Sequence, residues 1–238
     1  MNEMKSILKT DRKNAVVTGV FFIIATTTAI ISLILYGPIL NHPGNLAAGA
    51  ANPNQIVLGA VFELILACSN VGTAIMLFPY LRKFSESWGL GYVCFRVLEV
   101  VFILVGIVSV LALLSLSREF TNAGAADAAS FHTVEKILKA IHDWTFILGP
   151  NFLLGVNTFI YSYIFYQSKL VPRKLAILGI VGSVLILNAA LLEMFGAILQ
   201  ISVWGVLLAL PVAVYEMALA AWLIIKGFNK QAYEPVRK

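Results

Sequence analysis

Charge is what this 238-residue sequence has least of. Asp, Glu, Lys and Arg make up only 12% of it, about half the share found in soluble domains. Hydrophobic residues fill 60% of the chain and the mean hydropathy is +0.88, so an ordinary soluble fold is excluded and the membrane class is indicated. Cysteine is nearly absent as well. Cys68 and Cys94 both fall inside apolar runs, at depths that differ by roughly 10 Å at 1.5 Å rise per residue. A disulfide needs Cα atoms within about 7 Å, so neither a disulfide framework nor a cysteine metal site is expected. Of the three histidines, His42 lies in a loop and His132 on a surface helix. Only His142 is left for the spans, which rules out bis-histidine haem and three-histidine zinc. HExxH, GxSxG and P-loop signatures are missing too. No cofactor and no metal is therefore expected. The net charge of +5 comes from residues dispersed among loops on one side, so it argues for membrane topology and not for a nucleic-acid partner.

What is present is a set of six apolar runs, each near the roughly 20 residues a helix needs to cross a bilayer. The expectation is an all-α, single-domain bundle with spans at about 15–36, 56–80, 89–115, 143–166, 175–198 and 204–225. The first run is longer than the roughly 7–15 residues of a signal-peptide core, so it reads as an uncleaved span. Tyr36-Gly37-Pro38 ends it, and turn-rich loops surround Asn41-His42-Pro43-Gly44 and Asn52-Pro53-Asn54. Between spans 3 and 4 the stretch 117–141 begins loosely. It continues with Phe131, Val134, Leu138 and Ile141 at helical spacing, the pattern of a short amphipathic surface helix. Under strict alternation, thirteen Lys and Arg fall on the side of both termini and three on the other. That asymmetry places both termini in the cytoplasm. Trp88, Trp144, Trp204 and Trp222 all mark span ends, as interfacial anchors do.

Polar residues inside these spans are costly and face a bundle interior by default. Span 4 is the most unusual: His142 and Asp143 lead in, Gly149-Pro150-Asn151 interrupts it, and Asn157 and Tyr161 continue its polar content. Proline removes its own amide and clashes with the carbonyl four residues back, that of Phe146. Depth sorts the candidates into two layers. Asn70, Arg96, Glu99, Asn157 and Glu216 form the deeper one, where Arg96, the only cation in any span, is expected to pair with Glu99, Glu216 or both as a clamp between helices. Glu63, His142, Asp143, Asn151 and Glu193 form the outer layer, as candidate ligand-binding residues. Glu63, Asp143 and Glu193 have no cation of their own. Either a proton, water or a positively charged ligand serves them.

Several segments together carry a resemblance. Gly37-Pro38-Ile39-Leu40, Phe95-Arg96 with Glu99, Asp143-Trp144-Thr145-Phe146, Gly149-Pro150-Asn151, Gln167-Ser168-Lys169-Leu170-Val171-Pro172-Arg173 and Ala209-Leu210-Pro211 with Glu216 resemble a family of mainly bacterial membrane proteins catalogued as domain of unknown function 4386. The likeness runs over about residues 14–228. It implies a multi-pass protein of the bacterial cytoplasmic membrane and carries no activity with it. From the residues, the leading expectation is binding or transport of a proton, cation or small cationic solute through an acid-lined interior, with membrane lipid as the surrounding partner. A membrane-embedded enzyme with Asp143 or Glu63 as general base beside His142, acting on a lipid-like substrate, is the alternative, and a sensory or partner-binding subunit the second. With no nucleophile and base visible together, the reading leans away from an enzyme.

Overall fold

The computed structural model describes residues 2–41, 45–123 and 128–229, and the described residues form helices and no strand. In chain order the helices are α1 (Asn2–Leu35), α2 (Gly37–Leu40), α3 (Asn45–Ala51), α4 (Pro53–Leu81), α5 (Glu86–Ala123) and α6 (Ala128–Phe146). A π-helical segment (Ile147–Leu153) then leads into α7 (Leu154–Ser168), followed by α8 (Arg173–Met194) and α9 (Val203–Ile225). Five of these, in α1, α4, α5, α8 and α9, are long and apolar enough to cross a membrane. The run 143–166, expected as one span, is divided among the end of α6, the π segment and α7, which follow one another without a break.

Local chemistry sets most of the boundaries. Proline opens α2 and α4 within the first turn, where its missing N–H costs nothing. The Ser202 hydroxyl accepts from the Gly205 amide at 3.2 Å and caps α9. α7 ends at Lys169, whose φ of 58° turns the chain out of the helix. α8 stops at Met194, short of the expected residue 198, because Gly196 takes a left-handed φ of 69°.

Three other expectations are corrected. The segment after span 1 is not an open loop: α2 and α3 tuck Ile39, Leu40 and Leu46 into the core against α5. Helix α5 runs past residue 115 to Ala123, since nothing from Leu116 to Asn122 breaks a helix, and Phe120 meets Phe131 of α6 edge-on at 5.7 Å. The 131–141 stretch is helical as expected but forms one helix with residues 142–146, and only Phe131 and Leu138 of its apolar positions pack inward. His42, residues 124–127 and the basic tail from residue 230 lie outside the described residues.

Two apolar clusters make up the core. One, around Leu77, Tyr80, Tyr161, Tyr215 and Leu223, gathers α1, α4, α7 and α9 at what we call the Tyr80 end. The other, around Tyr36, Ile39, Ile56, Val110 and Leu113, gathers α1, α2, α4 and α5 at the Tyr36 end. Outside, the helices present Ile30, Ile34, Ile75, Val105 and Val108. Such an apolar exterior suits lipid, where a water-soluble monomer would carry charge. Asn70, Arg96, Glu99 and Asn157 lie at the junction of the two clusters.

Candidate functional site

The π segment arises where Pro150 cannot donate to the helix ladder, and the widened turn absorbs the misfit. Gly149 lets this turn approach α5 closely: a Cβ there would sit 2.8 Å from the Phe102 Cβ. A wide turn also shifts the helix face. Asp143, Pro150 and Asn157 are spaced by seven, which on a regular helix sets them on one stripe, yet His142 and Asn151 are the buried neighbours, while the Asp143 side chain is 50% exposed. Successive helical residues differ by about 100°, so when His142 points inward Asp143 cannot. The His142 Nδ1 and Asp143 Oδ1 lie 3.4 Å apart.

Glu99 is the centre of the deeper layer. Its carboxylate accepts from Arg96 Nη1 at 3.1 and 3.0 Å, from Asn70 Nδ2 at 3.0 Å and from Asn157 Nδ2 at 2.6 Å. One carboxylate thereby ties α4, α5 and α7 together. Arg96 is 1% exposed, and its guanidinium lies 5.7 Å from the Tyr92 ring centre. Of the two expected partners only Glu99 pairs with it. Glu216 feels Arg96 and Glu99 electrostatically, but its hydrogen bond is to the Thr26 hydroxyl, at 3.4 Å. Beneath this layer Tyr161 stacks on Tyr215 at 5.9 Å, and Ser162 donates to the Tyr215 hydroxyl at 2.8 Å.

Towards the Tyr36 end, the Tyr36 hydroxyl donates to Glu63 Oε2 at 2.8 Å, and the Tyr36 ring stands edge-on to the His142 ring at 6.2 Å. Asn151 Nδ2 donates to Glu193 Oε2 at 2.7 Å. The polar side chains expected at the outer level thus separate into two groups. Glu63, His142 and Asn151 line a common cavity, whereas Asp143 and Glu193 are not in its lining. Glu63, Asp143 and Glu193 therefore do not share this cavity.

That cavity, of about 290 Å³, instead joins the two layers. Its carboxylates are Glu63, Glu99 and Glu216, from α4, α5 and α9, and the rest of the wall is mainly apolar, including Leu66, Ile103, Ile186 and Val212. Glu99 is saturated by its partners. Glu63 and Glu216 each accept one side-chain hydrogen bond, from Tyr36 and Thr26, through Oε2. Glu63 is 7%, Glu216 9% and His142 7% exposed. Among the described residues no three His, Cys, Asp or Glu side chains converge tightly enough to hold a metal ion.

Sequence reasoning overlooked the contribution of α1, which carries no carboxylate or arginine in its span. Thr26 and Tyr36 supply hydrogen bonds to both free carboxylates. Their signal was the Thr26-Thr27-Thr28 run and a tyrosine at the span end. Asn188, a polar residue within a span, is exposed and donates to its own helix at Val184 O.

Five membrane-length apolar helices around a buried polar interior are the build of a multi-pass membrane protein. The chain belongs to the family described as Domain of unknown function (DUF4386), whose model matches residues 17–227. No curated protein and no solved structure matches it.

Proposed function

We propose that this protein binds, and as a carrier moves, a proton, a cation or a small cationic solute in the chamber between Glu63 and Glu216. The observation that carries the reading is a mismatch of charge. Three carboxylates line the chamber, and the one arginine near them is held by Glu99. Removing a carboxylate from water costs several kcal/mol, of order, unless it is paired, so Glu63 and Glu216 favour a bound positive charge. Their wall positions on different helices also suit alternating access, in which helices rock about a central site. In this reading α6, the π segment and α7 together make a sixth crossing, both termini face the cytoplasm, and the membrane is the bacterial cytoplasmic one. The proton and the solute are two occupants of the same acids and can exchange. The enzyme alternative would draw on His142 and Asp143, whose 3.4 Å approach resembles an imidazole with an orienting acid.

The test is thermal unfolding of the purified protein in detergent, with and without methylammonium, ammonium and alkali cations. A ligand at a hundred times its Kd stabilises by about 2.7 kcal/mol. Native protein is expected to show a saturable rise in Tm with at least one of these, or a pH-dependent Tm, that Glu63→Gln/Glu216→Gln loses. Identical cation and pH responses in the two proteins would remove the reading.

A further inference from the structure

We propose that the occupant is an alkylammonium amphiphile, a cationic head on an apolar chain, that enters sideways from the lipid between the C-terminal half of α1 and the N-terminal half of α9. The proposal rests on the cation reading above and specifies its ligand. Three observations converge on it.

The first is the character of the chamber. At about 290 Å³ it far exceeds the room a bare ion needs, and its lining is chiefly aliphatic. The carboxylates stand on separate helices and do not close round a point. Walls of this kind bury a hydrocarbon body and reserve charge for one end. The second is the set of open polar atoms. Among the described residues Glu63 Oε1, Glu216 Oε1 and His142 Nε2 take part in no hydrogen bond, although all three residues are more than nine-tenths buried and line the chamber. An ammonium donates hydrogen bonds and accepts none, so its head can be received at either carboxylate.

The third is the way in. Helices α1 and α9 run antiparallel and pack tightly towards the Tyr80 end. A Cβ on Gly19 would lie 2.8 Å from the Ala220 carbonyl oxygen, and Arg12 donates to the Leu223 carbonyl at 3.0 Å. Thr26 and Glu216 are still in contact. Beyond them the two helices line the chamber with Ala29, Ile30 and Leu33 on one side and Ala209 and Ala213 on the other. Ile30 is 56% and Leu33 37% exposed, the two most exposed members of the chamber lining. Facing them on α9 are alanines, half-buried and without bulk. The chamber wall there is also the lipid-facing surface, so an amphiphile dissolved in the bilayer reaches Glu216 without crossing water.

Equilibrium binding in lipid nanodiscs, with empty discs subtracted, tests this with three probes: octylammonium, methylammonium and octan-1-ol. Each buried methylene is worth about fourfold in affinity. Octylammonium is expected to bind saturably, one per chain, at least about a hundredfold tighter than methylammonium, while octan-1-ol shows no saturable binding. Glu63→Gln/Glu216→Gln should weaken octylammonium at least tenfold. Ile30→Trp and Ala213→Trp, on opposite sides of the gap, should each slow its association at least tenfold. Ile75→Trp, on an exposed part of α4 away from the chamber, should not. Methylammonium binding as tightly as octylammonium, and lost in the double glutamine variant, would overturn the amphiphile and leave the cation reading standing. Octan-1-ol binding like octylammonium, unaffected by the glutamines, would overturn both. Unchanged association in the two gap variants would overturn the lateral route, and the comparison of probes on the native protein decides the ligand class even if neither variant folds.

Discussion

Replacing Glu99 by leucine should be among the most damaging single changes in this chain. The substitution leaves the Arg96 guanidinium, 1% exposed, without its carboxylate, and strips Asn70 and Asn157 of an acceptor at 3.0 and 2.6 Å. Orphaning one member of a buried ion pair costs about 3–5 kcal/mol. Interhelical hydrogen bonds in membranes average only about 0.6 kcal/mol, so the two amides add about 1 kcal/mol and the stranded charge dominates. Arg96→Leu alone is milder, because Glu99 keeps both amide donors. In Arg96→Leu/Glu99→Leu no charge remains to be stranded, and the double variant should lie at least about 2 kcal/mol above the sum of the singles. Unfolding by SDS in mixed micelles, followed by far-ultraviolet circular dichroism on the native protein and the three variants, measures the cycle. Glu99→Gln serves as a gentler substitute if the leucine variant does not fold. Additivity within about 0.5 kcal/mol would mean that water already reaches Arg96, and the clamp would have to be given up.

Other changes probe separate parts of the structure. Gly149→Ala sets a methyl group 2.8 Å from the Phe102 Cβ, where the π turn meets α5, and is expected to cost about 1–3 kcal/mol in the same unfolding assay. Tyr36→Phe removes the 2.8 Å donor to Glu63 and should cost about 1–2 kcal/mol, with little effect on expression. For topology, single cysteines at Asn52 and Asn122, both exposed, should react in intact cells with an impermeant maleimide, and one at Lys83 only after permeabilisation. The background for that experiment lacks Cys68 and Cys94, which are free and exposed, so serine at both should shift stability by no more than about 0.5 kcal/mol.

Much of the bundle was legible because spans announce themselves through length and apolarity. The helical stretches matching five of the six expected spans follow directly from that rule, and the interruption at Gly149-Pro150-Asn151 was visible as a proline in a helix. What proline would do there was not visible. Its misfit is taken up by a π turn, which shifts the phase of everything before it relative to Asn157, so counting by sevens put Asp143 inside and it is half-exposed. Depth counting was silent on a second point. Glu63 and Glu216 were assigned to different layers by their distance from span ends, and one cavity reaches both. The clamp was more readable: Arg96 and Glu99 are three apart on one helix and so meet by helical geometry alone. Thr26 and Tyr36 were not, since a hydroxyl carries no charge to mark it out in a span. Their importance depends on which carboxylates α1 packs against, and only the fold reveals that.

The central claim is that Glu63 and Glu216 hold a positive charge inside the chamber, and an experimental structure in lipid nanodiscs with octylammonium tests it most directly. The account predicts ligand density in the chamber, its nitrogen within about 2.7–3.2 Å of a carboxylate oxygen of Glu63 or Glu216, and its chain directed towards Ile30 and Ala213. A chamber without ligand at a saturating concentration of the probe, or an alkyl chain lodged there with its nitrogen away from both carboxylates, would contradict it.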